Sequence, residues 1–255
     1  MVSRAEIRKV ASLHQRSQRE ATGLFLIEGL TELERATGAG VEIETVYALE
    51  DLTLSAPVVK VSEHIFDRIA YGRDGIVAVA HRPGWSLADL TMPRPALVLV
   101  AEGLEKPGNL GAILRTADAT GAAVIVADDR TDLTNPNVVR ASLGTLFTVP
   151  IAVANSRDAI GYLREGGVAI VVTEVEGGEP PWRLDLRQPV AVVIGSESQG
   201  VSTAWREAAD SRLTLPMTGT ADSLNASVTA GVILFEAVRQ RILPRPEAAG
   251  GGSVP

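Results

Sequence analysis

The chain has 255 residues, 45% of them apolar, and no cysteine. This length accommodates one large domain or two smaller ones, and the missing thiols exclude disulfides, thiolate zinc sites and methylation through a cysteine nucleophile. The formal net charge of −7 is unlike that of strongly basic nucleic-acid-binding proteins. No apolar run approaches the roughly 20 residues that span a membrane.

The first 81 residues are predicted to form a small α/β domain, in which short apolar runs alternate with amphipathic segments. The predicted elements, in chain order, are a helix at 3–20, a strand at 24–27, a helix to about residue 37, strands at 41–49 and 57–61, a helix at 62–70 and a strand at 76–80. Residues 82–95 hold three prolines and no sustained periodicity, which predicts a linker. The charged start of the chain predicts no signal peptide.

A basic strip at the N-terminus is a candidate RNA-binding surface. Residues 1–20 hold five basic and two acidic side chains, a local net charge of +3. An acidic protein can bind RNA through such a strip. The basic residues are Arg4, Arg8, Lys9, Arg16 and Arg19. A solvated helix face without a ligand explains them as well, and the sequence leaves both interpretations open.

From residue 96 the pattern changes to buried strands that alternate with helices. Apolar runs typical of parallel strands covered on both faces lie at 97–100, 123–126, 168–173 and 190–194. Helices are predicted at 109–120, 136–142, 157–165, 202–209 and 224–241. This alternation predicts an open α/β sheet over 96–243. Residues 244–255, rich in Pro and Gly, are predicted to be a disordered tail.

The segment P-G-N-L-G-A-I-L-R-T-A-D, residues 107–118, opens a helix with a turn signal. Asn109 is predicted to cap this helix, and Gly111 to allow the close approach of a backbone or a ligand. A helix N-terminus beside an arginine, here Arg115, is a good phosphate site. An ordinary capped helix with Arg115 in a structural ion pair is the alternative.

The segment V-I-G-S-E-S-Q-G-V, residues 193–201, follows a predicted buried strand. Gly195 ends the strand, and Glu197 is the lone charge before the next helix. Such strand-loop-helix connections lie at the carboxyl ends of parallel strands, where ligands bind. The spacing is not that of a dinucleotide fingerprint, and a glycine-rich connection with a solvated glutamate is the alternative.

The segment L-P-M-T-G-T-A-D-S-L-N-A-S, residues 215–227, is the most specific of the three. Pro216 lacks an N–H and ends a strand, and Ser223 is predicted to cap the long helix that follows. Leu215, Met217 and Leu224 are suited to sandwich an adenine. A capped helix in a packed core would explain Ser223 but not the amide of Asn225.

Together, and in this order, the three segments resemble the signature motifs of the SpoU/TrmH family of RNA 2'-O-ribose methyltransferases, in the SPOUT superfamily. The resemblance covers about residues 97–241, while F-L-I-E-G at 25–29 resembles a ribosomal-protein-like RNA-binding domain. It implies an α/β fold in which a parallel sheet with a C-terminal trefoil knot follows a small RNA substrate-binding domain. It also implies S-adenosylmethionine as cofactor, a homodimer in the cytoplasm without a metal, and an RNA substrate, more in line with rRNA than tRNA.

The resemblance also assigns the site residues. It implies a reaction centre of Asn109, Arg115, Glu197, Ser223 and Asn225. It implies a cofactor site of Thr173, Gly195, Leu215, Met217 and Leu224, with Glu197 organising the site through Arg115 or a loop amide. Within N-P-N-V-V-R-A-S-L-G-T-L-F, residues 135–147, Arg140 and Ser142 would approach RNA phosphate.

The role of Arg115 stays open between two possibilities. The family assigns the matching arginine as the base that takes the 2'-hydroxyl proton. A guanidinium, with a pKa above ~12, is not readily deprotonated in proteins. A cation beside the ribose would instead fix phosphate and stabilise developing alkoxide charge.

Two other functions were weighed against methyl transfer. A non-catalytic RNA-binding or ribosome-assembly protein with the same fold would have no need to keep the five residues of the implied reaction centre together. Another kind of nucleotide-dependent α/β enzyme should carry a P-loop or a G-x-G-x-x-G turn after its first strand, and neither is present.

Overall fold

The computed structural model describes residues 2–72 and 74–243, so the predicted tail at 244–255 lies outside the described residues. The N-terminal domain is a mixed four-stranded sheet with the strand order β1-β4-β2-β3. Its elements are α1 (Arg4–Ser12), α2 (Arg16–Thr22), β1 (Leu24–Glu28), α3 (Leu30–Gly38), β2 (Ile43–Ala48), β3 (Val58–Lys60), α4 (Glu63–Ile69) and β4 (Ile76–His81).

The predicted single helix at 3–20 is wrong, because the chain breaks it into α1 and α2 at residues 13–15. The break is stabilised by a side chain. The guanidinium of Arg19 donates hydrogen bonds of 2.9 Å to the carbonyl oxygens of Leu13 and His14. These carbonyls at the end of α1 would otherwise lack a partner away from water.

The F-L-I-E-G segment connects β1 to the loop that follows α4. Glu28 is only 4% exposed, and its carboxylate accepts hydrogen bonds from the backbone N–H groups of Tyr71, at 3.1 Å, and of Gly72. Gly29 adopts a φ of 102°, a left-handed conformation that favours glycine. The Glu-Gly pair therefore fixes the sheet edge to a neighbouring loop.

Residues 82–95, the predicted linker, include a short 3-10 turn, Leu87–Asp89, and pack on the second domain. The N–H of Val153 donates a 2.8 Å hydrogen bond to the Trp85 carbonyl, and the Tyr162 hydroxyl donates a 3.0 Å bond to the Leu90 carbonyl. Proline predicts irregular backbone correctly, but it says nothing about whether that backbone is packed.

The second domain is a six-stranded, wholly parallel sheet with the strand order β10-β8-β9-β5-β6-β7. Its elements are β5 (Leu97–Glu102), α5 (Pro107–Thr120), β6 (Ala123–Ala127), α6 (Pro136–Ser142), β7 (Ile151–Ala154), α7 (Ser156–Glu165), β8 (Ala169–Thr173), β9 (Val190–Ile194), α8 (Thr203–Ala208), β10 (Ser211–Leu213) and α9 (Ala226–Ile242). The sequence did not predict β7, and it predicted that the strand before the third motif ends near Pro216, whereas β10 ends at Leu213. Both are short edge strands, of four and three residues, and carry a weak pattern.

Alternate residues of the central strands feed two cores on opposite faces of this sheet. Leu97 and Leu99 belong to one core, and Val98 and Val100 to the other. The first core continues into the N-terminal domain, where Phe25 and other apolar residues pack against α6 and the turn after it. The two domains therefore share buried apolar surface. None of the described helices has the length and apolar character needed to cross a membrane.

Candidate active site

A cavity of about 370 Å³ lies at the carboxyl ends of β8, β9 and β10. Parallel strands bring these ends to one edge of the sheet, which is where open α/β sheets bind ligands. The loops after these strands form its walls. These loops contain the second and third sequence motifs.

All five residues assigned to the cofactor line this cavity: Thr173, Gly195, Leu215, Met217 and Leu224. The floor is apolar, since Ile194, Val201 and Leu213 are buried there. Met217 and Leu224 are 36% and 39% exposed and flank the mouth. An apolar floor beneath polar walls suits a flat heterocycle, such as adenine, that also carries hydrogen-bonding groups.

Gly195 is required by the backbone of its own loop. A Cβ at this position would lie 2.1 Å from the carbonyl carbon of Gly200 and 2.3 Å from the nitrogen of Val201. Gly200 itself has a φ of +67°. The two glycines let the loop fold back on itself beside the cavity. The group that approaches Gly195 closely is therefore the backbone of Gly200 and Val201.

Gly111 has the same kind of role in the first motif. A Cβ there would lie 2.5 Å from the Cβ of Ala141 and 2.9 Å from the nitrogen of Ser142. Gly111 therefore allows α5 and α6 to pack closely. Ser142 is fully buried and donates to the Val139 carbonyl at 2.7 Å, so the predicted approach of its hydroxyl to phosphate is wrong.

Asn109 joins the first motif to the second. It does not cap α5, as the sequence predicted, because the helix begins two residues earlier at Pro107. Its side-chain nitrogen instead donates a hydrogen bond to the carboxylate of Glu197. The other carboxylate oxygen of Glu197 pairs with Lys106 Nζ at 2.6 Å. Glu197 thus organises the site through Lys106 and the side-chain amide of Asn109, and not through Arg115, one of the two partners predicted for it beside a loop amide.

Asn225 joins the third motif to the first and is the cap of α9. Its Oδ1 accepts a 2.9 Å hydrogen bond from the N–H of Ser227, and its Nδ2 donates a 3.0 Å bond to Oδ1 of Asn109. The predicted cap, Ser223, lies two residues before the cap position, in the loop that lines the cavity. The Asn225 amide, which a simple capped helix left unexplained, therefore accepts from both the N–H and the hydroxyl of Ser227 and donates to Asn109.

Arg115 lies on α5, about 9 Å along the helix axis from Asn109 at 1.5 Å per residue. Its side chain is exposed. Within the part of the chain that the structure describes, no carboxylate or carbonyl accepts a hydrogen bond from it, which excludes the structural ion pair there. Arg140 lies on the neighbouring helix α6 and is also exposed. Its Nη2 donates a 2.8 Å hydrogen bond to Oδ1 of Asn137 on the same helix.

The basic strip does not form one surface. Arg4 and Arg8 are exposed, and Lys9 pairs with Glu44 at 3.3 Å. Arg16 pairs with Glu20 at 2.7 Å and with Asp129 at 3.1 Å. These contacts leave Arg4 and Arg8 as the most accessible cations of the strip.

Arg19 contradicts its assignment to RNA. It is 3% exposed and pairs with Asp132 at 2.7 Å, on the second domain. Burial raises the pKa of Asp132, but hydrogen bonds from Arg19 and Thr134 more than offset this, so its pKa lies below the ordinary value. Arg19 connects the two domains. Charge counting could not distinguish it from its exposed neighbours.

The sequence prediction missed a charged pair in the cavity wall. Arg206 Nε lies 2.8 Å from Glu174 Oε1, and its Nη2 lies 3.2 Å from Oε2. Both side chains line the cavity. Glu174 follows directly after β8, so a charge at the end of a buried strand was the signal that could have identified it.

Comparison with known proteins follows this division of the chain. Residues 96–235 match the SpoU rRNA Methylase family, and residues 4–78 match the MRM3-like substrate binding domain. The 23S rRNA (uridine(2479)-2'-O)-methyltransferase of Streptomyces viridochromogenes is 32% identical over 256 residues, 92% of this chain and 89% of that protein. The 23S rRNA (guanosine-2'-O-)-methyltransferase RlmB of Ralstonia nicotianae is 44% identical over 149 residues, which cover 58% of this chain and 60% of that protein's length.

Solved structures are similar over nearly the whole chain. The SpoU methyltransferase AviRb from Streptomyces viridochromogenes, in complex with AdoMet, has a TM-score of 0.87 and 30% identity, covering 95% of this chain and 100% of that one. The AdoMet-bound rRNA methyltransferase from Sinorhizobium meliloti has a TM-score of 0.85 and 30% identity, covering 96% and 98%. These likenesses agree with the parallel α/β sheet and the separate N-terminal domain.

Proposed function

The chain belongs to the SpoU rRNA Methylase family, and we propose that it transfers a methyl group from S-adenosylmethionine to a ribose 2'-hydroxyl of ribosomal RNA. The observation that carries this proposal is the connection of all three motifs through Asn109. This residue donates to Glu197 and accepts from Asn225, beside the cavity. A family member that had lost its activity would have no reason to keep this chain of polar contacts.

The cavity suits S-adenosylmethionine. Its apolar floor and the side chains of Leu215 and Leu224 would hold the adenine, and Thr173 offers a hydroxyl at the wall. The Thr173 hydroxyl donates to the Val193 carbonyl at 2.9 Å, so its oxygen is free to accept from a ligand. When bound, the cofactor supplies an electrophilic methyl group on its sulfonium. The AdoMet complexes of two similar structures support this assignment.

Arg115 would bind the RNA phosphate beside the target ribose and stabilise the developing alkoxide. Its guanidinium is exposed on α5, one to two turns beyond Asn109. A guanidinium that stays charged is suited to both tasks, and Ser223 and Asn225 would orient the ribose from the opposite motif. Positioning supplies much of the rate in such an in-line displacement.

The RNA would be ribosomal. The Streptomyces viridochromogenes and Ralstonia nicotianae relatives are both named for 23S rRNA, and the N-terminal domain matches a substrate-binding domain. Arg4, Arg8 and Arg140 are exposed cations that would contact its backbone, with Lys9 and Arg16 able to exchange the surface carboxylates of Glu44 and Glu20 for phosphate. This substrate would place the enzyme in the cytoplasm.

The enzyme would act as a homodimer that packs through α9. Val228, Val232 and Phe235 are 49%, 44% and 52% exposed, and their spacing places them on one face of the helix. Large apolar side chains in a continuous exposed stripe mark interaction surfaces. Light scattering should give twice the 26.8 kDa chain mass. A Phe235→Glu variant should dissociate, and a monomeric wild type would contradict the proposal.

The C-terminal chain would form the trefoil knot of the family. The connection between β8 and β9 contacts the last helix near its end. Gln240 Nε2 donates to the Leu184 carbonyl at 3.1 Å, and Arg241 Nε donates to the Leu186 carbonyl at 3.0 Å. These contacts support the proposal that the connection between β8 and β9 covers the C-terminal helix.

Two assays on the full chain test the function. Calorimetry should detect binding of S-adenosylhomocysteine, and tritium from the methyl group of S-adenosylmethionine should appear in unmodified 23S rRNA transcript. Asn109→Ala should abolish most transfer. Absence of both binding and transfer in the wild type would contradict the proposal.

A further inference from the structure

The loop between β6 and α6, residues 128–135, contacts the N-terminal domain on one side. Arg16 Nη2 donates to Asp129 Oδ2 at 3.1 Å, and Arg16 Nη1 donates to the Arg130 carbonyl at 3.1 Å. Arg19 forms the buried pair with Asp132. This loop, which we name the bridging loop, is therefore bonded to helix α2, while Asp128 and Thr131 bond it to the rest of the second domain.

The side chain of Arg130 extends from the bridging loop to the second motif. Its Nη1 pairs with Glu105, and its Nη2 donates a 3.1 Å hydrogen bond to Oε1 of Gln199. Glu105 in turn accepts from the Ser198 hydroxyl at 3.5 Å. Both Ser198 and Gln199 line the cofactor cavity.

The turn that carries Gln199 is held mainly by its own backbone. Gly200 N donates to the Ser196 carbonyl at 2.8 Å, and Gln199 N donates to the Ser196 hydroxyl at 3.1 Å. In the described residues, the side chains of Arg130 and Glu105 are the ones from outside this motif that bond to Ser198 and Gln199. Without these two side chains, the turn at Gln199 would keep its own hydrogen bonds but lose its side-chain bonds to the rest of the domain.

The Arg130 contacts contribute little to overall stability. The side chains of Arg130 and Glu105 are 46% and 48% exposed, and exposed ion pairs contribute little to the free energy of unfolding. If these contacts served only stability, replacing Arg130 would therefore change the free energy of unfolding very little. The contacts instead place Arg130 between the N-terminal domain, which bonds to its backbone carbonyl, and the cavity wall, which bonds to its side chain.

We propose that Arg130 is a positioning residue that couples the N-terminal domain to the cofactor site through Gln199. This inference rests on the proposed function. RNA bound to the N-terminal domain would restrict the motion of α2 and the bridging loop. Arg130 would then hold Gln199 in its position in the wall of the cofactor cavity. Because coupling between two sites is reciprocal, bound cofactor would tighten RNA binding by the same factor.

Calorimetry with S-adenosylhomocysteine on the full-length protein, alone and with saturating 23S rRNA transcript, tests this coupling. In the wild type the RNA should tighten binding by about fivefold or more, the lower range of measured couplings. Arg130→Ala should remove that effect, raise KM for S-adenosylmethionine more than it lowers kcat, and leave Tm nearly unchanged. Arg130→Lys should restore part of the coupling, because it keeps the charge but not the planar fork.

Two further variants complete the test. Gln199→Ala should reproduce Arg130→Ala, and the double variant should be no worse than either single change. Arg157→Ala removes an exposed cation that has no bonded partner in the described structure, and it should behave as the wild type. Unchanged coupling in Arg130→Ala, or no coupling in a wild type that binds S-adenosylhomocysteine, would overturn the inference alone. A wild type that does not bind the probe would overturn the proposed function with it.

Discussion

The side-chain amide of Asn225 donates a 3.0 Å hydrogen bond to Oδ1 of Asn109, a residue 116 positions earlier in the chain. The same Asn225 side chain caps α9 through its oxygen. One side chain therefore sets the start of the last helix and aligns it with the first motif. Since Asn109 also contacts Glu197, this bond completes the link between the three motifs.

Asn225→Asp separates the two roles of this side chain. Aspartate is as good a helix cap as asparagine, so α9 should keep its start and the protein its Tm. It cannot donate to Asn109, and it adds a negative charge near Glu197. Methyl transfer should fall on the order of 100-fold, the scale of a small misplacement at a reacting centre.

Asn155→Asp is the matched control, because Asn155 caps α7 in the same way and does not line the cavity. Its rate should be that of the wild type. Full activity in the Asn225 variant would show that the link between the motifs is not needed for the reaction.

Arg115→Ala should leave S-adenosylhomocysteine affinity nearly unchanged, because Arg115 does not line the cavity. Turnover should fall by ~100-fold or more, the scale for loss of one transition-state electrostatic donor. Arg115→Lys should be impaired yet partly active, with a pH profile like that of the wild type, if the guanidinium binds phosphate.

A lysine that acts as the base would instead shift the profile to lower pH, because lysine loses its proton far more readily than arginine. Rate profiles over pH 6–10 separate the two roles. Undiminished turnover in the alanine variant would remove Arg115 from the mechanism.

Gly195→Ala should weaken S-adenosylhomocysteine binding by about tenfold or more, the factor for each 1.4 kcal/mol lost. The added Cβ would lie 2.1 Å from the Gly200 backbone and would force the loop away from its position beside the cavity. Gly161→Ala in α7 adds a Cβ that meets no atom within 4 Å, so its affinity should be unchanged. Calorimetry on both variants checks this contrast, and equal affinities would contradict it.

The Arg19–Asp132 pair should make stability depend on pH. Asp132 has a lowered pKa in the folded state, so its contribution is complete above the unfolded value of about 3.9 and disappears as the pH falls through the folded value. Asp132→Asn should cost ~3 kcal/mol at neutral pH, since it leaves Arg19 buried without its charged partner.

The difference between wild type and Asp132→Asn should shrink as the pH falls below about 4. Denaturant unfolding at several pH values measures it. Glu20→Gln, which breaks an exposed pair with Arg16, should cost under ~1 kcal/mol at any pH. An Asp132→Asn variant as mild as Glu20→Gln would contradict the assigned role of the buried pair.

The sequence predicted the features that depend on local pattern. Near-continuous apolar runs identified β5, β6, β8 and β9, because strands covered on both faces bury every residue. The sequence did not predict the features that depend on contacts between residues far apart in the chain. Both helix caps were misplaced. Helix α5 begins at Pro107 without a side-chain cap, and Asn225 offers the same capping chemistry as the nearby Ser223. Arg19 looked like a surface cation because its partner Asp132 lies 113 positions away.

The family resemblance, and not strand geometry, assigned residues to the site, and the structure brings the five residues assigned to the cofactor to one cavity. The hydrogen bonds between the motifs were not predicted. The bonds of Glu197 to Lys106 and Asn109 depend on how two loops meet, as do the contacts of Arg130. No periodicity or spacing encodes such contacts.

Mass-spectrometric mapping of 2'-O-methylated nucleotides in total RNA, from cells with and without the gene for this chain, is the sharpest test of methyl transfer to ribosomal RNA. One ribose methyl group in ribosomal RNA should disappear with the gene and return with the wild-type chain, but not with Asn109→Ala. A ribosomal RNA whose ribose methylation is identical in both strains, or a lost methyl group that lies on a base, would contradict the proposed function.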